Sequence, residues 1–424
     1  MTTNNDTVAG QQQLLGLLVK ECHGILDDDN NDSVNASDEM VKRLRALRNS
    51  FASSPALSSF LLEAGLLEVL ERGMDVLRDG TIFFGNEIPV RRVIAQLMAN
   101  ATSASVEWCL GLSGPRVFPE RYTYMALTEH TDISSALALS LYNISRKVDG
   151  FIQNLVGPEG CLVLSMMLQT EERCADEHGG ENDALGLLLS YVCFEKEYLK
   201  DLFYSLMDTD NNAALNSNHV LLLQRLVHEV SLVSVTLGGH VVTHLHGLLM
   251  RSIVVNENDE KISRLVLQQC LHLLRDIAAR QGDEPCDVMI DEGVLKNLLG
   301  MLEALTTTDA SIPFQKTQPY KGYKSDVLSI IANASHRRTR VQEYIIQMNG
   351  VMMILHHLQA DPDSPLSREW ALYAVRNLCE GSAEARDAIQ ELQRVDGSSG
   401  GGVEGDYEVM YERERGRVKI GLRK

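Results

Sequence analysis

The sequence predicts an all-α fold, an armadillo/HEAT-like right-handed superhelical solenoid of about seven to eight helical units. Three observations carry this. In residues 324–392, Val327, Ile330, Ile331 and Ala334 share one helical face, and Ala371, Ala374, Val375 and Leu378 share the matching face of a second helix. Between them lie a shorter amphipathic run (341–346), a Gly turn at Gly350, an apolar run (351–358) and a two-proline break at Asp361-Pro362-Asp363-Ser364-Pro365. Second, Asn49, Asn100, Asn143, Asn333 and Asn377 fall in one column, each with an apolar residue two before it (Leu47, Met98, Leu141, Ile331, Val375). Successive members are 51, 43 and 44 residues apart where the column is continuous, near the ~40–47 of armadillo and HEAT units. Asp276 fits the column, and a glycine (Gly65, Gly160, Gly293, Gly350) follows four of its members by sixteen or seventeen residues; two further units fit around Tyr191 and His228. Third, 10 prolines and 5% aromatics in 424 residues, with no alternating β-branched run, suit helices.

Composition also narrows the function classes. A formal net charge of −19 argues against a general nucleic-acid binder, because phosphate contacts need a basic footprint. No run approaches the ~20 uncharged residues of a membrane span, and the opening MTTNNDTVAGQQQ lacks the regions of a signal peptide. Eight cysteines without CxxC spacing read as reduced thiols. These features place the chain in the cytoplasm, the perinuclear region included.

Taken in order, residues 1–38 read as a flexible N-terminus, disordered to residue 10, with a short capping helix from Gln11 to Leu26. Asp27, Asp29, Asn31 and Asp38 echo an EF-hand loop, but Asp32 stands where the sharp turn needs Gly; Asp208, Asp210 and Asn212 fail in the same way. Solvated linkers are the better reading, with Asp38 as a helix N-cap. Residues 39–323 are armadillo-like repeats with acidic insertions. Lys42, Arg43, Arg45 and Arg48 form either a patch for an acidic partner or an ordinary solvated face, the latter preferred. Gly111-Leu112-Ser113-Gly114 has no nucleophile-elbow spacing and reads as a turn. Residues 171–183 read as a mobile surface loop, since Cys174 and His178 alone are a weak metal set.

His240, His244 and His246 invite a metal reading, but Val241 stands where HExxH needs its Glu. No catalytic, metal or cofactor-binding set is nominated. Four glycosylation sequons, at Asn35, Asn100, Asn143 and Asn333, are set aside for want of a signal peptide. The column asparagines either cap helix ends or line a peptide groove. Importin-α-like grooves pair their Asn ladder with a Trp one helical turn earlier, and here those positions hold Arg45, Gln96, Leu139, Ser329 and Tyr373.

Residues 324–396 form the next segment. KSDVLSIIAN and NGVMMILHHLQADPDSPLSREWALYAVRNLCEG, with Lys324-Ser325-Asp326, the Asp361–Pro365 hinge and Arg368-Glu369-Trp370-Ala371 running to Glu380-Gly381, resemble the C-terminal domain of the ataxin-10 family. The close resemblance spans about seventy residues. It implies a non-enzymatic armadillo-like scaffold or adaptor acting through protein partners, in cell division (cytokinesis), cell survival or neuronal differentiation. This chain departs from the family's Asn/Gln-rich turns at His336-Arg337-Arg338-Thr339-Arg340 and at Ala383-Glu384-Ala385-Arg386, with Gln342 kept.

We expect the docking site at Glu369, Trp370, Arg376 and Glu380, because Trp and Arg are favoured interface anchors, though Trp370 also fits as packing between units. The alternative function is an armadillo cargo receptor or transport adaptor that holds basic peptides through Asn333 and Asn377. Residues 397–424 are a Gly-rich linker and basic tail. Tyr407–Met410 and Arg417–Ile420 alternate as a short hairpin would, and the tail either docks on the body, self-associates with a second copy, or stays disordered.

Overall fold

In the computed structural model of the chain, the described residues are 3–27, 34–53, 57–79, 87–178, 183–206, 215–232, 238–253, 260–280, 282–306, 318–383, 385–387, 407–412 and 417–422. The chain divides into two compact units, Met1–Leu222 and Leu223–Lys424. The first contains α1 (Thr3–Asp27), α2 (Val34–Ser53), α3 (Ser58–Glu63), α4 (Leu66–Asp79), α5 (Glu87–Ala104), α6 (Val106–Ser113), α7 (Glu120–Ala126), α8 (Thr131–Lys147), α9 (Phe151–Val156), α10 (Pro158–His178), α11 (Asp183–Ser190) and α12 (Leu199–Ser205). Helix α11 continues into a π-helical turn, Tyr191–Glu195. The division falls inside α13 (Ser217–Leu232). The second unit continues with α14 (Gly239–Ile253), α15 (Glu260–Ala279), α16 (Glu284–Asp291), α17 (Val294–Thr306), α18 (Tyr323–Ser335), α19 (Thr339–Gln347), α20 (Gly350–Leu355) and α21 (Ser367–Gly381), then strands β1 (Tyr407–Glu412) and β2 (Arg417–Leu422).

Each unit is a stack of helices, as the all-α solenoid expectation requires. In the first, α2, α5, α8 and α11 pack side by side; in the second, α15, α18 and α21 do. The apolar spacing that defines these helices is what they bury. Val327, Ile330, Ile331 and Ala334 of α18, and Ala371, Ala374, Val375 and Leu378 of α21, are all completely inaccessible. The two tryptophans differ. Trp108 is fully buried, donates its indole N–H to the Ser58 carbonyl at 2.9 Å and meets Phe51 edge-on, whereas Trp370 is only half-buried.

The asparagine column works as an inter-helix staple. The Asn100 amide donates to the Arg48 carbonyl (3.4 Å), that of Asn333 to Arg275 (3.3 Å) and that of Asn377 to Ala332 (2.8 Å). Each acceptor lies one residue before the preceding column member: Asn49, Asp276 and Asn333. Tyr191 keeps this register through its ring, which meets Tyr142, the residue before Asn143, at 5.6 Å. Asn143 deviates, donating to Thr102 Oγ1 at 3.4 Å.

Cations close the same helix ends. The last carbonyls of a helix have no intrahelical donor and carry the negative end of its dipole, so a positive side chain there is doubly favourable. Lys147 Nζ reaches the Thr102 and Ser103 carbonyls of α5 (2.6 and 2.8 Å). Arg338 donates to the carbonyls of Ala278 (3.2 Å), Arg280 (2.5 Å) and Gly282 (2.9 Å) at the end of α15, and to Asn333 (2.9 Å) at the end of α18. Gln342, 2% exposed, links the Ser335 and Asn377 carbonyls.

The glycines that follow the column serve two geometries. Gly65 and Gly293 take left-handed φ (+89° and +78°) ahead of α4 and α17, a conformation that penalises a Cβ. At the third such turn Asn349 is the left-handed residue (φ +56°), and Gly350 is required by contact instead: a Cβ there would stand 2.8 Å from the Ile345 carbonyl oxygen.

Four local expectations are corrected. Helix α1 starts at Thr3, so the first ten residues are not all disordered and the capping helix is not short; once Leu15, Val19, Cys22 and Leu26 are buried, extending an existing helix is cheap. Asp38 is no N-cap, because α2 begins at Val34 with Ser37 already on the buried face. Gly111 belongs to α6, pressed against the Leu67 side chain, and only Gly114 ends the helix. Residues 171–178 are the last turns of α10 rather than a loop, held where Cys174 is buried beside the Glu129 carbonyl. The tail hairpin forms, two residues longer per strand than expected, with Tyr407 opposite Leu422 and Glu412 opposite Arg417. Its β2 backbone comes alongside α21. The Gly-rich linker lies outside the described residues.

Asn377→Ala should lower stability by about 1–2 kcal/mol, by removing the inter-helix donor to the buried Ala332 carbonyl, which would keep the Ser335 hydroxyl of its own helix. Asn49→Ala, whose exposed side chain meets only the adjacent Arg48 among the described residues, should stay within about 0.5 kcal/mol. Urea unfolding of the two variants checks the difference.

Candidate functional site

On α21 the spacing of exposed residues complements the buried seam. Glu369, Tyr373, Arg376 and Glu380 recur at helical intervals and all face solvent. The Arg376 and Glu380 side chains are 63% and 47% accessible and pair at 2.7 Å, a weak link at that exposure. Trp370 meets Tyr373 edge-on (centroids 6.2 Å, 88°), and the His336 ring lies nearly parallel to Tyr373 at 6.5 Å. The stripe is thus an aromatic centre flanked by charge. Among the expected site residues, Glu369, Trp370, Arg376 and Glu380 come together on this face. Asn377 does not: it is 2% exposed and points into the α18–α21 seam. Asn333 is half-buried and turned toward α15.

Tyr373 and His336 were not singled out by sequence reasoning. Tyr373 could have been, since it occupies the place one turn before the column residue. His336 opens the turn where the chain departs from the family pattern, but its approach to Tyr373 depends on how α18 ends.

Behind the stripe, the joint into α18 is a polar lock. Lys324 pairs with Asp361, Gln318 donates to Asp361 (2.8 Å), and Ser364 donates to Gln318 (2.5 Å). The Gly322 N–H also donates to the Asp363 carbonyl at 2.6 Å, which fastens the two-proline hinge to the start of α18. A cavity of about 360 Å³ opens beside Tyr320, Lys321 and this pair. Burial disfavours the charged Asp361, but Lys324 together with the backbone N–H groups of Asp363 and Ser364 outweighs it and holds the carboxyl below its ordinary value. Tyr320 is raised, by burial first and then by Asp326, which accepts its hydroxyl at 2.8 Å. His357 is 4% exposed with its Nε2 3.1 Å from the Leu302 carbonyl; burial, then Lys324, pushes it down to about 4.

Several side chains that the sequence left open have structural partners. Arg338 and Arg386, in the two turns that depart from the family pattern, cap helix ends, Arg386 through the Cys379 carbonyl at 2.7 Å. Arg340 pairs with Asp287 and Asp291 of α16 (3.1 and 2.6 Å). His246 lies 2.7 Å from the Asn297 amide. Of the first EF-hand echo, Asp27 pairs with Arg72 (2.5 Å) and Asp38 sits inside α2; Asp29, Asn31 and the whole second echo lie outside the described residues. Among the described residues no three of His, Cys, Asp and Glu converge as a metal would need, and no helix is long and apolar enough to cross a membrane.

Residues 323–420 match the family model described as the spinocerebellar ataxia type 10 protein domain. An ataxin-10 homolog of Dictyostelium discoideum is 34% identical over 73 residues, 17% of this chain and 12% of that protein. Ataxin-10 of Xenopus tropicalis is 29% identical over 73 residues, 17% of this chain and 15% of that protein. The matched segments are therefore a small part of the relatives' length. Among solved structures, an engineered protein of 16% identity aligns over 92% of this chain and 86% of its own at a TM-score of 0.35, too distant to bear on the fold. The C-terminal segment of this chain is an ataxin-10 family domain, and both the α21 stripe and the polar lock fall inside it or at its edge.

Acid should loosen the lock. The folded His357 is below the ordinary histidine value, so the unfolded chain takes up its proton first, near pH 6.5. Stability present above that pH is then lost as pH falls toward about 4, where the folded ring also protonates. Between pH 7 and pH 5 the loss should be about 2 kcal/mol. His219, buried and likewise pushed down by burial, acts in the same direction in the first unit. Urea unfolding of His357→Gln at both pH values should show a slope flatter than wild type by about that amount.

Proposed function

We propose that the chain is a non-enzymatic scaffold of the ataxin-10 type, which binds protein partners through the exposed stripe of α21. The observation that carries this is the clustering of Trp370, Tyr373 and Arg376 on the solvent side of a helix within the matched segment. Aromatic and Arg side chains at the centre of a patch, with charges at its margin, are what protein interfaces favour. Regulation of cell division or cell survival, in the cytoplasm, is the setting that the resemblance suggests. The ataxin-10 family is not known for an enzyme activity. The cargo-receptor reading draws no support from the column, since the amides of Asn333 and Asn377 are engaged by carbonyls of neighbouring helices.

Affinity capture from native cytosol should yield a partner that is lost with Trp370→Ala plus Arg376→Ala while the thermal melt of the helices stays unchanged. Full retention of partners by that variant would sink the assignment of the surface. Because Trp108 is fully buried, acrylamide quenching reports mainly on Trp370, and adding the captured partner should reduce it.

A further inference from the structure

The first unit carries a second surface in the same helical register. One turn before the column, α2, α5, α8 and α11 present Arg45, Gln96, Leu139 and Leu187, where Tyr191 stands in the column through its contact with Tyr142. Arg45 is exposed, Gln96 half-buried, and Leu139 and Leu187 are 38% and 44% exposed although most of their helices' leucines are buried. The strip is therefore basic at one end and apolar at the other. At the basic end, Arg48 donates to Gln96 (2.5 Å) and to Asn49, while the exposed Lys42 and Arg45 have no ion pair among the described residues. At the apolar end, the Arg146 guanidinium lies over the Tyr142 ring at 5.5 Å.

We propose that this strip docks an extended acidic peptide of a partner protein, with carboxylates at Lys42 and Arg45 and two apolar side chains at Leu139 and Leu187. Charge complementarity selects the occupant. The body's net charge of −19 is screened beyond about 8 Å at physiological ionic strength, so the local cations decide. Spacing sets the sequence. Packed helices lie about 10 Å apart, which puts Leu139 roughly 20 Å from Arg45 and Leu187 roughly 10 Å farther on. At ~3.3 Å per residue, the acidic cluster and the first apolar residue are about six positions apart, and the two apolar residues about three.

The test uses the full chain and fluorescein-labelled peptides: four glutamates, a five-residue Gly/Ser spacer and Leu-Ser-Gly-Leu, together with the reversed sequence, since the strip does not specify chain direction. At least one should give saturable anisotropy. Lys42→Glu plus Arg45→Glu, and separately Leu139→Ser plus Leu187→Ser, should each weaken binding about tenfold or more, with far-UV circular dichroism unchanged. Lysines in place of the glutamates should abolish binding, and Trp370→Ala plus Arg376→Ala should leave it intact, which separates this strip from the α21 stripe. Absence of saturation with both peptides, or wild-type affinity in either strip variant, would overturn the proposal.

Discussion

The fold depends on one recurring bond, from the column side chain of one long helix to the carbonyl just before the column residue of the helix preceding it in the stack. A stacked helical repeat has no sheet ladder to set its register, and apolar packing alone tolerates sliding. A directional bond to a carbonyl near the helix end does not. It also answers a need, because the last carbonyls of each helix must find donors from outside the helix. Where asparagine alone does not suffice, Lys147 and Arg338 reach the same carbonyls. In a chain with 58 acidic and 39 basic residues, the half-buried Lys147 and Arg338 serve helix ends, where the dipole favours them, while the buried Arg225 pairs with Glu229 within α13.

That register also decides what reaches solvent. In α2, α8, α11 and α21 the residue one turn before the column looks outward, whereas Ser329 of α18 is buried, and the identity of the outward residue differentiates those repeats. It is Arg45 in α2, leucine in α8 and α11, and Tyr373 in α21. One packing rule thus yields surfaces of different chemistry in the two units. The asparagines, which in an importin-like protein would be the binding groups, here hold the scaffold, and the surfaces proposed for recognition are formed by their neighbours.

Much of this was legible in the residues. The seams of α18 and α21, the two-proline hinge, the tail hairpin and the resemblance of the C-terminal segment all follow from local pattern, since apolar periodicity and turn chemistry act over a few residues. The failures share a cause. Gly111 and residues 171–178 look like turn and loop by composition, yet they are helical because neighbouring helices provide packing that overrides a weak local preference. At the N-terminus, α1 runs on to Thr3 because a buried seam farther along had already nucleated it.

The sequence by itself determined the helical repeat, its column and which side chains are apolar, because these are properties of spacing. Only the tertiary structure decided where each polar side chain points. Asn377 could equally have capped its own helix, lined a groove or bridged to α18, and its bond to the Ala332 carbonyl exists only once α18 and α21 are packed. Likewise Arg338 lies in a turn that the sequence marks only as a departure from the family pattern, yet it closes the end of α15 some sixty residues earlier in the chain. Contacts over that separation are fixed by how helices stack, and no local pattern encodes them.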